Sequence, residues 1–66
     1  DGLDAIRIII AGAKNHLNPN AWLMIEHGWN QAESIRQLFE QAGFIEVSTE
    51  QDLAKCDRVT MGQNPP

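Results

Sequence analysis

The sequence predicts an α/β fold in which the elements follow the order helix, strand, helix, strand, strand. Three observations support this class. Apolar residues recur every three or four positions in two segments, as they do on one face of an amphipathic helix. Between these segments lies the continuous apolar stretch Trp22 to Ile25, and two short segments with alternating apolar and polar residues follow the second helix. Because no helix separates the last two strands, we expect them to pair antiparallel.

The first helix is predicted to begin at Asp1 or Gly2 and to end before Asn18. Pro19 cannot continue a helix and disfavours helical geometry at the residue before it. The apolar stripe of this helix comprises Leu3, Ile6, Ile9, Ile10, Ala13 and Leu17.

The first strand, in the segment AWLMIE, is apolar on both faces. Trp22 and Met24 lie on one side, and Leu23 and Ile25 lie on the other. This pattern is typical of parallel α/β sheets, in which helices cover both faces. We therefore expect Trp22 to belong to the core.

The second helix has the clearest start and stop signals. Asn30 is a favourable N-cap, and Glu33 follows at the spacing of a capping box. Gly43 supplies the left-handed residue that commonly ends a helix, and Phe44 is the apolar contact of that stop motif. The apolar stripe between these signals comprises Ala32, Ile35, Leu38, Phe39 and Ala42.

The last two strands are predicted in the segments FIEVSTE and RVTMGQ. In the first, Ile45 and Val47 alternate with polar residues, and in the second Val59 and Met61 do the same. Each strand is therefore expected to bury one face.

Composition limits the functional classes. A formal net charge of −4 argues against a surface that follows nucleic-acid phosphates. No apolar run approaches the roughly 20 residues that a membrane-spanning helix needs. The single cysteine, Cys56, excludes an internal disulfide, so a reducing cytoplasm is the simplest location. Asp1 opens directly onto a helical pattern without an initiator methionine or signal sequence, and we expect a longer parent protein.

Four motifs carry a resemblance to a known family: Asp1-Gly2-Leu3, the pattern LxPxxWLxxEHGWxQ from Leu17 to Gln31, QAGF, and Asp57-Arg58-Val59. Together they resemble the C-terminal part of the HemK/PrmC family, whose members are S-adenosylmethionine-dependent methyltransferases. The family modifies the glutamine of the Gly-Gly-Gln motif in peptide-chain release factors. One departure is Pro19-Asn20-Ala21, where the family usually has Pro-Gly-Gly.

The resemblance implies a class I methyltransferase sheet, which is Rossmann-like and has an antiparallel last strand between the fifth and sixth. It also implies a cytoplasmic enzyme with S-adenosylmethionine as cofactor and release factors as protein partners. The family's glycine-rich loop and Asn-Pro-Pro-Tyr motif are expected before Asp1, so residues 1–66 are interpreted as a single C-terminal portion without catalytic, cofactor-binding or metal residues. Such a portion would be structural and inactive alone. Its strand Trp22–Glu26 would be an exposed edge that favours self-association.

Glu26, His27 and Gly28 lie where the first strand ends, which is where ligands bind in α/β sheets. The functional interpretation places them at the rim of the substrate pocket, near the glutamine. The alternative is that Glu26 bonds a local backbone donor and His27 is a solvated loop residue. For Trp29 two interpretations are open: packing within the chain and contact with a partner.

Four further questions are open at this stage. Residues 63–66 are predicted to be a disordered tail, although Asn64-Pro65-Pro66 repeats the first three letters of the family's catalytic motif. A metal site formed by His16, His27 and Cys56 matches no zinc spacing. The parent could also methylate a DNA or RNA base, or the chain could be a non-catalytic interaction module.

Overall fold

The structure is a computed structural model that describes residues 3–51 and 53–66, with the backbone alone at residue 57. The predicted order of helices and strands is confirmed, with a 3-10 turn added before the second helix. The predicted start of the first helix at Asp1 or Gly2 lies outside the described residues. The elements are α1 (Asp4–His16), β1 (Trp22–Glu26), the 3-10 turn (Trp29–Gln31), α2 (Ala32–Gln41), β2 (Ile45–Gln51) and β3 (Asp57–Gln63).

The strands form a single sheet in the order β1-β3-β2. The last strand in the sequence therefore lies in the middle, and it runs antiparallel to both neighbours. The predicted antiparallel pairing of the last two strands is confirmed. None of the helices in the described ranges has the length and hydropathy of a membrane span.

The core lies between the two helices and one face of the sheet. It is built from Ile10 of α1, Ile35 and Phe39 of α2, and Phe44. Leu23 and Ile25 of β1 and Val47 of β2 pack against it with other half-buried side chains. Both helices therefore contribute to the same core cluster, on the same side of the sheet.

The end of α2 follows the predicted stop motif. Gly43 has a φ of 95°, in the left-handed region. The Phe44 N–H donates to the Phe39 carbonyl at 3.1 Å, and the Gly43 N–H donates to the Glu40 carbonyl at 3.0 Å. The Phe39 and Phe44 rings are in contact, with centroids 5.3 Å apart. These bonds and the apolar contact form a Schellman motif, which turns the chain from α2 into β2.

The start of α2 differs from the prediction. Asn30 is not the N-cap, because the 3-10 turn includes it and α2 begins at Ala32. On α1, Ile9 belongs to the predicted apolar stripe but is 53% exposed, since α2 covers only the side of α1 that carries Ile10.

The prediction that helices cover both faces of β1 is wrong for the described residues. Trp22 is 49% exposed and Met24 is 63% exposed. Residues opposite each other in the register share a face, which places Trp22, Met24 and Met61 on the side away from the helices. We call this side the open face. Trp22 is therefore not a core residue here, because both helices pack on the other face.

The buried sides of β2 and β3 also differ from expectation. On β3, Thr60 and Gly62 face the helices, whereas Val59 and Met61 lie on the open face. On β2, the register shifts between Ile45 and Ser48, where Glu46 has a φ of 53°. This bulge places Ile45 opposite Gln63 on the open face, so Ile45 and Val47 do not share a side.

The structure also differs from the predicted disordered tail at residues 63–66. Gln63 belongs to β3, and Asn64 is 7% exposed. The Asn64 side chain accepts a hydrogen bond from Lys14 Nζ at 2.7 Å and donates to the carbonyls of Leu17 and Asn18 at 3.1 and 3.2 Å. Its backbone N–H also donates to the Ala21 carbonyl at 2.8 Å. Asn64 is ordered because it satisfies the carbonyl groups that follow α1.

Candidate functional site

An open pocket of about 330 Å³ lies where β1 ends beside the start of β3. Glu26, His27, Arg58 and Val59 line it. We call it the strand-end pocket. The antiparallel register places Glu26 opposite Val59, and the His27 N–H donates to the Arg58 carbonyl at 2.9 Å. Sequence reasoning named Glu26 and His27 but did not place Arg58 here, because that requires the strand register.

Glu26 is the exposed carboxylate of the strand-end pocket. Within residues 3–51 and 53–66, no hydrogen bond or ion pair engages its side chain. The alternative in which Glu26 bonds a local backbone donor is therefore not what the structure has. An exposed carboxylate at this position can accept hydrogen bonds from a ligand.

His27 is half-buried, and both of its ring nitrogens have partners. Nδ1 lies 2.8 Å from the Gly28 carbonyl oxygen, and Nε2 lies 2.8 Å from Thr60 Oγ1. Since a carbonyl oxygen only accepts, Nδ1 must carry a hydrogen in this geometry. The alternative in which His27 is a solvated loop residue does not match the structure, because its Nε2 contacts Thr60 of β3.

Gly28 matters because it has no side chain, and not because its backbone conformation is unusual. Its φ of −73° and ψ of 154° are accessible to any residue. A Cβ at this position would lie 3.2 Å from Asn30 Oδ1 and 3.4 Å from Gln31 Oε1. The Gly28 N–H donates to Gln31 Oε1 at 2.9 Å, and the Gln31 N–H donates to the Gly28 carbonyl at 3.0 Å. Gln31 thus folds the chain tightly into the 3-10 turn.

Trp29 opens the 3-10 turn and is 65% exposed. Of the two interpretations left open by the sequence, this exposure favours contact with a partner over packing within the chain. A large exposed aromatic side chain next to a polar pocket is suited to contact with a partner.

Three residues connected to His27 had no predicted role. Thr60 Oγ1 lies 2.8 Å from Thr49 Oγ1, and Arg36 Nη1 donates to Thr49 Oγ1 at 2.9 Å. The sequence of an alternating strand segment does not indicate which hydrogen bonds a threonine in it will make. The register of β2 against β3 brings the two hydroxyls together.

The structure brings together no metal-binding cluster among the residues it describes, where a cluster means three or more His, Cys, Asp or Glu side chains. His27 is bound on both sides by protein groups, so neither ring nitrogen faces an open coordination position.

Comparison with known proteins indicates which proteins this chain is related to. No protein-family model matches the chain. A protein of Xylella fastidiosa (strain Temecula1) named release factor glutamine methyltransferase is 54% identical over 65 residues, covering 98% of this chain and 24% of the relative. The chain is a homologue of the release factor glutamine methyltransferases. A methyltransferase of that name from Pseudomonas aeruginosa is 46% identical over 63 residues, with 96% of this chain and 23% of the relative covered.

A third methyltransferase with this name, from Aliivibrio fischeri, is 52% identical over 60 residues, 91% of this chain and 21% of its own length. The chain thus spans about a quarter of the length of these release factor glutamine methyltransferases, in their C-terminal part. The homology confirms the predicted resemblance to the C-terminal part of these proteins.

Proposed function

We propose that this chain is the C-terminal part of a cytoplasmic, S-adenosylmethionine-dependent enzyme that methylates the glutamine side-chain amide of the Gly-Gly-Gln motif in peptide-chain release factors. The observation that carries this proposal is the 54% identity, over 98% of the chain, to a protein named for glutamine methylation of release factors. The Gly-Gly-Gln motif and the cofactor come from the HemK/PrmC resemblance.

In this proposal β1, β2 and β3 are the fifth, sixth and seventh strands of a class I methyltransferase sheet. The observed order β1-β3-β2, with β3 antiparallel to both neighbours, supports this assignment. The chain completes one end of the sheet and supplies no residue to the adenosyl pocket. It is therefore inactive alone.

The strand-end pocket would form part of the rim near the substrate glutamine. An amide nitrogen is a poor nucleophile because its lone pair is delocalised, so the enzyme must hold it in line with the sulfonium methyl group. The Glu26 carboxylate is exposed and can accept a hydrogen bond from an amide N–H, whether of the glutamine or of the adjoining peptide. Trp29 would contact the release factor beside it.

The test measures methyl transfer from isotopically labelled S-adenosylmethionine by the natural-length protein. The substrates are a release factor with an intact Gly-Gly-Gln motif, the same factor with the glutamine replaced by alanine, and double-stranded DNA. We expect label on the intact factor alone, and no label when the 66-residue chain replaces the natural-length protein. Label on DNA would overturn the substrate class, and no label on any substrate would favour a non-catalytic interaction module.

We also propose that the 66-residue chain in isolation self-associates through the edge of β1. The sheet has two edges, and β2 is irregular in register at two places, with Glu46 at a positive φ. β1 pairs with β3 without a register shift, and only Glu26 among its residues is charged. A regular, apolar edge of this kind is a template for another strand.

A further inference from the structure

A continuous series of hydrogen bonds connects α2 to the strand-end pocket through the middle of the sheet. It runs from Arg36 Nη1 to Thr49 Oγ1 at 2.9 Å, on to Thr60 Oγ1 at 2.8 Å, and then to His27 Nε2 at 2.8 Å. We call these four side chains the hydroxyl relay. His27 extends it through Nδ1 to the Gly28 carbonyl at 2.8 Å.

The hydroxyl relay lies on the helix-covered face of the sheet. Thr60 is fully buried, and Arg36, Thr49 and His27 are half-buried. The register places Thr60 between Ile25 on β1 and Thr49 on β2. A buried hydroxyl group that loses its partner is destabilising, so the arrangement of donors and acceptors here is constrained.

The direction of each bond follows from the groups at the two ends. A guanidinium only donates, so Thr49 Oγ1 accepts from Arg36; a carbonyl only accepts, so His27 Nδ1 carries a hydrogen. If Thr49 then donates to Thr60 and Thr60 donates to His27 Nε2, every hydrogen in the relay has an acceptor. If Nε2 instead donates to Thr60, the single contact between the two threonines can use only one of their hydroxyl hydrogens, and the other has no acceptor within the relay. The relay therefore favours the His27 tautomer with its hydrogen on Nδ1.

We infer that Thr60 and Thr49 are positioning residues for the strand-end pocket and act through His27. The Gly28 carbonyl accepts from both His27 Nδ1 and the Gln31 N–H, which holds the turn directly after Glu26 and around Trp29. The consequence for catalysis rests on the proposed methyltransferase function. The position of the hydrogen on the His27 ring does not rest on that function, and it can be measured independently of enzyme activity.

The first test is NMR of the natural-length protein with nitrogen-15 in its histidines. Long-range proton–nitrogen correlations should show His27 as the Nδ1–H tautomer, which is the minor form of an imidazole free in water. Thr60→Val keeps the side-chain shape but removes the hydroxyl, and we expect it to shift His27 toward the Nε2–H tautomer. An Nε2–H tautomer in the unmodified protein, or no change in Thr60→Val, would overturn the relay.

The second test is the rate of methylation of the release factor. Thr60→Val should lower kcat by about tenfold and leave KM for S-adenosylmethionine unchanged, because the substrate amide is misaligned while the cofactor site is intact. Thr60→Ser, which retains the hydroxyl, should have the kcat and the His27 tautomer of the unmodified protein. Ser48→Ala is the matched control, since it removes the hydroxyl next to Thr49 on the open face.

The two proposals fail in different ways. An unmodified protein without methylation activity, but with the Nδ1–H tautomer, contradicts the proposed function and leaves the relay standing. An active protein in which Thr60→Val changes the tautomer but not kcat contradicts the positioning role alone. Equal melting temperatures for Thr60→Val and Thr60→Ser exclude loss of folded protein as the cause of a lower rate.

Discussion

Single residues determine how closely α2 approaches the sheet. Gly62 lies on the helix-covered face of β3, opposite Leu23. A Cβ there would lie 2.6 Å from Phe39 Cδ2 and 3.1 Å from Phe44 Cβ. Both phenylalanines are buried in the core and cannot move away freely. The absence of a side chain at position 62 is therefore what allows the Phe39 ring to pack directly on the β3 backbone.

Gly62→Ala is expected to lower the free energy of unfolding by about 1–3 kcal/mol, because one extra carbon overfills a closely packed site. Urea denaturation followed by tryptophan fluorescence measures the difference. The helix, the two phenylalanines and β3 must shift together to accommodate the added methyl group.

Gly12→Ala is the matched control for that substitution. Gly12 lies within α1, and a Cβ there meets no atom within 4 Å. Since alanine favours a helix over glycine by roughly 0.5–1 kcal/mol, this variant should be more stable than the unmodified protein. Equal effects from the two glycine substitutions would contradict the proposed role of Gly62.

At the scale of elements, the end of α1 depends on a residue far away in the sequence. The Leu17 N–H donates to the Ala13 carbonyl, but the carbonyls of Leu17 and Asn18 lie past the helix. The Asn18 carbonyl accepts from the Ala21 N–H at 3.1 Å. Asn64, which directly follows β3, donates to both carbonyls from its side-chain amide. The side-chain oxygen Oδ1 of Asn64 accepts a hydrogen bond from Lys14 Nζ. The buried Asn64 side chain thus connects the end of α1 to the end of β3.

Asn64→Asp should therefore lower the free energy of unfolding by about 1–3 kcal/mol, because a carboxylate can still accept from Lys14 but cannot donate to the two carbonyls. Thermal or urea unfolding provides the measurement. Asn15→Asp makes the same chemical change at an exposed position of α1 and should cost no more than about 0.5 kcal/mol. If both variants were equally stable, the Asn64 side chain would not be holding the end of α1.

At the scale of the whole molecule, the sheet is covered on one face and open on the other. Trp22 and Met24 of β1 are exposed there, and Met61 of β3 is half-buried beside them. The edge of β1 next to these side chains is regular. An apolar face that adjoins an unpaired strand edge combines the two surfaces on which sheets associate.

Sedimentation of the isolated 66-residue chain is expected to show an average mass that rises with concentration. Met24→Lys should shift it toward the monomer, because a charge at the centre of β1 opposes edge pairing and apolar contact. Ser48→Lys, which places the same charge on the open face at β2, should have less effect. A mass that stays monomeric at every concentration would contradict self-association through β1.

How far the sequence predicts this site varies from residue to residue. Glu26 and His27 were located correctly at the end of β1, because apolar periodicity and the following turn residues are local signals. The bonds of His27 were not predictable, since its partner Thr60 is 33 positions away. The same limit applies to Arg58 in the strand-end pocket and to Asn64 at the end of α1. Each depends on a register that no short segment encodes by itself.

The sequence by itself determined the order of the elements and the Schellman stop at Gly43, because helix periodicity and a left-handed glycine are properties of neighbouring residues. Only the tertiary structure decided which side of each strand is buried. Alternation divides Thr60 and Gly62 from Val59 and Met61, but the position of the helices decides that the first pair faces the core. The physical reason is that burial depends on how the elements pack. Either face of a strand can be buried, and the face that the helices cover is the one that becomes part of the core.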